Sequence, residues 1–429
     1  MSQTTGGAGA PLEVIRDPLW NNIRLESDAV TVVDTPAVQR LRYVRQLGHA
    51  FLVYPGATHS RFEHCLGAYH LARRALEHLS HGDVVVLPKD AKAIRLAALL
   101  HDIGHYPFSH ALEEAGLPRH ETLARRHLTG GALGDVLRDI DVDAETLLTL
   151  IQGRDAVPLA GVVAGSLDVD KLDYLSRDAW MCGVPYGVID VDRLLTSLTI
   201  IERAGRPTLA LHEKGLAALE SLLFAKYQMY RNVYWHHAVR SATVMFKRAV
   251  TDAIASGHVT AEGVADATDD GLLHELSRND PRGLARALRE RRLAKRALDL
   301  PATDLPAPAD WPALDPGLVA RVEDRLAAEL QLGPGDLFLD FPAKPEMLDL
   351  HLPLVTRDGE VVELSGHEAG ERLGLPRVSA ELVRSARRLR VFVREPRTVP
   401  EKAVVDLVCA PGEEVATRLK NGRPLLSRS

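Results

Sequence analysis

Nine of the chain's 18 histidines, His59, His64, His70, His78, His81, His101, His105, His110 and His120, fall within 62 residues. The run His101-Asp102-Ile103-Gly104-His105 puts an imidazole beside a carboxylate at the end of an apolar stretch. Such a pair at a helix end can ligate one divalent ion, because neighbouring side chains converge there. Two further ligands must come from elsewhere. His64, in Arg61-Phe62-Glu63-His64, can supply one, and Asp170, in Asp168-Val169-Asp170-Lys171-Leu172-Asp173-Tyr174, the other. A lone His-Asp pair is far more often a hydrogen-bonded helix end than a metal site, and for Asp168 to Asp173 alone a solvated acidic turn is favoured. Only the ensemble points to a metal. Asp170, Tyr174 and Asp178 also recur at i, i+4 and i+8, on one helical stripe that could grip a polar ligand. Lys171 and Arg177 beside them offer charge for phosphate.

The elements that must hold these residues are mostly helical. Leu12 to Val32 reads as extended around Asp17-Pro18. Val38, Leu41, Val44 and Leu47 then recur every three residues, and Phe62, Leu66, Tyr69, Ala72, Leu76 and Leu79 every three to four. Ile94 to Leu100 drives an apolar helix into His101-Asp102, and Pro107 interrupts it. Leu167 to Ala179 reads as another apolar helix, and long helical patterns cover Lys214 to Ile254 and Asp270 to Leu298. The pattern predicts a flexible tail at 1–11, a helical domain at 12–300, and a linker at 301–316, where five prolines fall in sixteen residues. Residues 317–429 predict a small α+β region: a helix from Leu318 to Leu330, then strand-like runs at Leu337–Asp340, Met347–Val355, Glu360–Leu364 and Leu389–Val393. The fold class is mostly α with a small C-terminal α+β region.

Composition narrows the functional classes. In 429 residues, 52 Lys and Arg stand against 58 Asp and Glu, a net charge of −6 that excludes a polybasic nucleic-acid coat. No apolar stretch is long enough to span a membrane, and the start lacks the basic and apolar regions of a secretion signal. Cys65, Cys182 and Cys409 are odd in number and far apart, which fits neither a disulfide framework nor a cysteine zinc site and predicts a cytoplasmic home. No Gly-rich loop ending in Gly-Lys-Ser/Thr and no Gly-x-Gly-x-x-Gly turn is present, so kinase and dehydrogenase readings drop out.

His64, then His101-Asp102, then Asp170, in that order, resembles the metal quartet of the HD superfamily of phosphohydrolases. The closer resemblance is to its deoxynucleoside triphosphate triphosphohydrolase branch, which has SAM-and-HD-domain and bacterial members. It is carried by Asp34-Thr35-Pro36, Gln39-Arg40-Leu41-Arg42-Tyr43, Gln46-Leu47-Gly48, Tyr54-Pro55-Gly56-Ala57, Arg61-Phe62-Glu63-His64, Pro107-Phe108-Ser109-His110, Asp168-Val169-Asp170-Lys171 and Arg177-Asp178. It covers residues 12 to 300 clearly. It implies one iron, manganese or zinc ion on His64, His101, Asp102 and Asp170, with Mg²⁺ accompanying the nucleotide. It implies cleavage at the α-phosphorus, releasing deoxynucleoside and intact tripolyphosphate. His110, oriented by Glu113, resembles the family's proton donor, with His105 and His120 lining the same pocket. Arg61, Lys171 and Arg231 match phosphate-contacting positions, and Gln46, Leu47, Tyr174 and Asp178 match positions around the deoxyribose.

The resemblance extends to regulation. In SAM-and-HD-domain members a second nucleotide, bound between subunits, assembles an active tetramer. Asp34, Gln39 and Arg42 match residues that recognise a guanine there, and Arg193, Lys214, Arg291 and Lys295 match basic residues near an adjoining allosteric nucleotide. A homo-oligomer, dimer to tetramer, with dNTP substrates and a nucleotide activator is thereby implied. The basic run Arg282 to Arg296 also suits a solvated helix face. Departures bear on the activator and base preference: Glu13 and Arg16 replace a lysine and an asparagine, Val239 replaces an active-site tyrosine, Tyr106 stands where that branch has glycine, and no SAM domain is present. His236-His237 suits phosphate proximity better than a second metal, because adjacent helical residues point about 100° apart. The alternatives are an HD-type phosphodiesterase or nuclease, or a nucleotide sensor without turnover. Net charge argues against a nucleic-acid substrate, though Arg patches at 282–296 and 384–397 could touch one.

Overall fold

A capping box opens the helix that carries His64: the Glu63 carboxylate accepts from the Ser60 backbone N–H at 2.5 Å and from its hydroxyl at 2.9 Å, satisfying donors a helix start leaves free. The computed structural model describes residues 13–81, 85–154, 159–203, 205–343, 351–364 and 385–426. The expected tail, the first residues of the expected strand Met347–Val355, and Arg384 lie outside these. A hairpin of β1 (Glu13–Asp17) and β2 (Asn21–Leu25) comes first, then helices α1 (Ser27–Val33) and α2 (Pro36–Arg40). The two helices that frame the site follow, α3 (Arg61–Leu79) and α4 (Pro88–Leu100). Three short helices, α5 (His120–Thr129), α6 (Gly131–Asp139) and α7 (Ala144–Ile151), pack beside them. α8 (Val169–Cys182) then crosses α3, and α9 (Val191–Leu195) leads away. Gly67 permits that crossing: a Cβ there would sit 1.8 Å from the Asp173 carboxylate.

Strands β3 (Leu198–Arg203) and β4 (Arg206–His212) form a hairpin inside the region expected to be helical. Leu198 and Ile200 pair across the hairpin with Leu211 and Leu209, and all four pack into the main core. Helices α10 (Leu216–Met229) and α11 (His237–Ala255) flank a short π-helical segment, Tyr230–Tyr234. α12 (Ala261–Asp266), α13 (Asp269–Arg278) and α14 (Leu284–Arg289) follow. The helix expected over Asp270 to Leu298 is therefore broken at Pro281 and at Gly283, whose φ is +67°, and its end becomes strand β5 (Lys295–Pro301).

The proline-rich stretch is not a free linker. β5 runs into it, a short helix α15 (Trp311–Leu314) forms, and the buried Trp311 indole donates to the Ala410 carbonyl at 3.1 Å. Beyond it come α16 (Pro316–Glu329), β6 (Leu337–Asp340), β7 (Pro353–Val355), β8 (Val361–Glu363), β9 (Arg388–Val393), α17 (Glu401–Cys409) and α18 (Gly412–Lys420). The C-terminal strands split between two sheets. β5, β9 and β6 make one, with α16 packed on it, while β7 pairs in parallel with β4 and extends the hairpin to β3-β4-β7-β8. Leu352, Leu354 and Leu364 thus join the same core as α3, α4 and α8. The fold is mostly α with small sheets, as the sequence implies. Among the described residues no helix is long and apolar enough to cross a membrane.

Candidate active site

Three of the four expected metal ligands meet between α3, α4 and α8: the ligand atoms of His64, His101 and Asp170 all lie within 4.8 Å of one another. The two Nε2 atoms are 3.0 Å apart, and Asp170 Oδ1 lies 3.0 Å from that of His64 and 3.5 Å from that of His101. Asp102 completes the group at slightly longer range, Oδ2 being 3.7 Å from His64 Nε2 and Oδ1 3.5 Å from His101 Nε2. The tautomers follow from the outer hydrogen bonds. His64 Nδ1 donates to Asp173 at 2.8 Å, and His101 Nδ1 to the Ala98 carbonyl at 2.9 Å. With each Nδ1 committed outward, it is the two Nε2 atoms that face the shared point; as neutral imidazoles both would present a lone pair there, an arrangement that a cation between them relieves. Two imidazoles with two carboxylates fit a transition or divalent metal.

Electrostatics supports the same reading. Burial opposes charge on His64, but the Asp170 and Asp173 carboxylates outweigh it and lift its pKa to about 10. Burial likewise opposes ionised Asp102 and Asp170, yet Arg61 for the first and His101 for the second hold both well below the usual carboxylate range. A field that would keep protons on these rings would also hold a divalent cation.

Asp173, which sequence reasoning quoted but gave no role, supports His64 from behind. Its carboxylate also accepts from the Trp20 indole at 2.5 Å and from Arg177 Nε and Nη2 at 2.9 Å each, while Arg177 Nη1 reaches Asp17 at 2.7 Å. All but Trp20 are buried. The i, i+3 spacing from Asp170 and the i, i+4 spacing to Arg177 were the available signals. Only folding reveals Trp20 and Asp17.

A second cluster adjoins the first. One ligand-type atom from each of His105, His110, Glu113 and His120 lies within 4.8 Å of the others. Glu113 organises it: Oε2 accepts from His110 Nδ1 at 3.0 Å, and Oε1 accepts from the His120 backbone N–H at 3.0 Å and Nδ1 at 2.6 Å. Burial would raise the Glu113 carboxyl, but these imidazoles hold it far below its ordinary value, so it stays ionised. His105 stacks on His120 with ring centres 3.7 Å apart. Burial, then Arg61 and His120, keep its pKa well below the usual value. The His110 side chain is 60% exposed, with Nδ1 rather than Nε2 engaged by Glu113. Asp102 joins the clusters, its Oδ1 3.2 Å from His105 Nε2. Arg61, 2% exposed, donates to Asp102 and, at 2.6 Å, to Ser109 Oγ.

The loop carrying His110 is strained. Phe108 and Ser109 both have left-handed backbones, φ +59° and +66°, which cost non-glycine residues about 1 kcal/mol or more. Asp269 holds the loop, its Oδ1 accepting from Phe108 N at 2.9 Å. Gly48 lies against it, where a Cβ would approach the Phe108 carbonyl oxygen to 2.8 Å.

The other expected positions divide. Tyr174 meets His64 edge to face at 6.5 Å, so it borders the metal group. Gln46 is buried with Oε1 unpartnered, and its carbonyl accepts from Ser109 Oγ. Leu47 packs against the buried cluster of Ala50, Ala57 and Val239. Asp178 is fully engaged, by His59 Nε2 at 2.8 Å and the Tyr234 hydroxyl at 2.7 Å, partners the sequence did not suggest. Lys171 is held by Asp168 at 2.5 Å and the Gly165 carbonyl, and exposed Arg231 by the Tyr227 hydroxyl at 2.8 Å. The expected allosteric residues fall into three groups. Exposed Arg42 donates to Gln39 at 2.7 Å near exposed Asp34; Arg193 donates to the Lys214 carbonyl at 3.1 Å; Arg291 and Lys295 line a recess of about 300 Å³ with His237 and Arg296. Val239 is buried against Ala50 and Ala57, and Tyr106 is fully buried in apolar core.

Comparison with known proteins agrees with this geometry. Residues 61–152 match the HD domain, and residues 189–369 match an HD associated region. An uncharacterized protein of Methanocaldococcus jannaschii is 33% identical over 351 residues, 81% of this chain and 73% of that one. The deoxynucleoside triphosphate triphosphohydrolase SAMHD1 homolog of Dictyostelium discoideum is 31% identical over 258 residues, 56% of this chain and 49% of its own length. The chain thus spans about half of that relative. A phosphohydrolase from Bacteroides thetaiotaomicron shares the fold, with a TM-score of 0.71, 22% identity, and coverage of 90% of this chain and 100% of that one.

Proposed function

This chain belongs to the HD-domain phosphohydrolases that carry an HD-associated region, and on that premise we propose that it is a metal-dependent deoxynucleoside triphosphate triphosphohydrolase. The observation that carries the reading is the junction at Asp102, where a two-histidine, two-carboxylate group meets, through His105, a cluster in which an ionised glutamate holds an exposed histidine. An ion held by His64, His101, Asp102 and Asp170 would polarise a phosphoryl oxygen and activate water. The rest falls to the chain's own groups. Arg61, pinned by Asp102 and Ser109, places fixed positive charge where the α-phosphoryl group would pass through its transition state. Water adds to the α-phosphorus as its bond to the 5′ oxygen breaks. The departing alkoxide takes a proton from His110 Nε2, while Glu113 keeps the Nδ1–H in place. Deoxynucleoside and tripolyphosphate leave.

The regulatory part of the reading is a nucleotide activator bound between subunits of a homo-oligomer, at the faces bearing Asp34, Gln39, Arg42, Arg193, Lys214, Arg291 and Lys295. Support comes from the exposure of Asp34 and Arg42 and from the basic recess at Arg291 and Lys295. The test is product analysis by ion-exchange chromatography, with purified protein, Mn²⁺ or Mg²⁺, and each dNTP alone and all four together. Intact tripolyphosphate is the expected product, with turnover stimulated by mixtures. Orthophosphate or pyrophosphate would mean cleavage of a phosphoanhydride bond and would overturn the reading; turnover of single-stranded nucleic acid with none of any dNTP would replace it with a phosphodiesterase or nuclease.

A further inference from the structure

The loop that bears His110 and Glu113 has a second carboxylate whose partners lie in a different part of the chain. Glu114 is one residue past Glu113, and its backbone N–H closes the turn onto the His110 carbonyl at 3.1 Å. Its side chain receives both terminal nitrogens of Arg240, Nη1 to Oε1 and Nη2 to Oε2, each at 2.8 Å. Arg240 projects from α11 and is 5% exposed. The same guanidinium reaches Asp340 at the end of β6, Nε lying 3.1 and 3.2 Å from the two carboxylate oxygens and Nη2 2.6 Å from Oδ1. Arg390 on β9 stands 3.6 Å behind Asp340, and Lys247, two turns along α11, donates to Glu114 at 3.1 Å.

We propose that Arg240 is a positioning residue for the acid loop, a clamp between Glu114 and the β5-β9-β6 sheet that sets where Glu113 and His110 stand. A planar guanidinium bidentate to two carboxylates fixes both distance and orientation, which a single ammonium would not. The loop needs such a hold because two of its residues are left-handed and its acid is exposed. Asp269 pins the loop before the acid, at Phe108, and the Arg240 clamp pins it after, at Glu114. The C-terminal sheet thereby becomes part of the catalytic apparatus without touching substrate. The assignment of His110 as proton donor rests on the function proposed above; the clamp itself does not.

Two measurements on the full-length metal-loaded protein test this. The first is hydrogen exchange of residues 110–117 in wild type, Arg240→Met, Arg240→Lys and Glu114→Gln. Amides of this turn exchange at least about tenfold faster in Arg240→Met and Glu114→Gln, with Arg240→Lys between, while α4 amides stay unchanged. Unchanged exchange in the turn overturns the clamp. The second compares leaving groups. On a dNTP, whose alkoxide needs a proton, kcat of Arg240→Met falls about 10- to 100-fold with KM within about twofold, as small misplacements of a catalytic group do. On bis(p-nitrophenyl) phosphate, whose phenolate leaves unaided, the variant stays within about twofold of wild type. Equal loss on both substrates means a general structural defect and overturns the proposal. Glu114→Gln keeps the arginine between its partners, so it serves if Arg240→Met fails to fold. If wild type cleaves no dNTP, the triphosphohydrolase reading fails alone, and hydrogen exchange still decides the clamp.

Discussion

The two halves of the site are built on opposite plans. The metal side is assembled where three helices begin or end, in the first turns of α3 and α8 and just past the end of α4, with His64 fully buried and backed by Asp173, Arg177 and Asp17 in an ion-paired stack. The acid side rides on a loop and a helix start, with two left-handed residues before it and an exposed histidine at its tip. On the function proposed above, the difference follows from what each must do. Ligands must converge without yielding, because binding strength depends on preset geometry. A proton donor must reach a leaving oxygen that arrives with substrate, so it must face the cleft and be held through its far nitrogen.

The contrast is broken most severely at the shared residue. Asp102→Ala removes a metal-side carboxylate, the partner of Arg61 and the contact to His105 together. We expect turnover to fall on the order of 10³-fold or more, beyond the loss from deleting one transition-state donor. Bound metal, measured by mass spectrometry, falls with it. Metal-replete Asp102→Ala protein with full activity would refute the assignment. His110→Gln strikes the acid side alone: a loss on the order of 10²–10⁴ in kcat with bound metal unchanged. Parallel loss of metal would mean that the two clusters are one site.

Asp173→Asn sharpens the claim that the metal side is supported from behind. Metal affinity, by competition with a fluorescent chelator, falls about 10- to 100-fold. The metal-free protein also loses about 3 kcal/mol in chemical denaturation, because Arg177 stays buried with one carboxylate fewer. Weak metal binding at unchanged stability would dissociate the two roles. Asp173 also marks what the sequence makes legible. His64, His101, Asp102 and Asp170 are readable because ligand chemistry restricts residue types and helix ends restrict placement. The helices carrying them follow from apolar periodicity. Neither signal reaches Trp20 or Asp17, which meet Asp173 and Arg177 only when the hairpin folds over α8. The β3-β4 hairpin was hidden for a related reason: its third and fourth neighbours, β7 and β8, lie more than 140 residues later. The prolines from 301 to 316 read as a linker because local propensity carries no information about the core that Trp311 enters.

The smallest expected effect separates the halves by pH. Glu113→Gln keeps the shape and one good acceptor, so kcat falls only about tenfold, the lower end for a group that orients another. Its signature lies in acid. Burial raises the wild-type carboxyl, but hydrogen bonds from His110 and His120 more than reverse this, so the folded pKa is depressed. A depressed carboxyl stabilises the fold above its unfolded value, about 4.5, and loses that contribution as pH falls below it. The difference in melting temperature between wild type and Glu113→Gln should therefore be widest near neutral pH and shrink once pH drops under about 4.5. Asp173 is depressed in the same direction, but its foremost partner is Arg177, whose charge does not titrate in this range. In the Asp173→Asn comparison only the carboxylate itself can release the gap. A gap that stays constant from pH 7 to pH 3 would show that the Glu113 carboxylate contributes nothing through its charge, and His110 would then owe its orientation to the loop and its clamps alone.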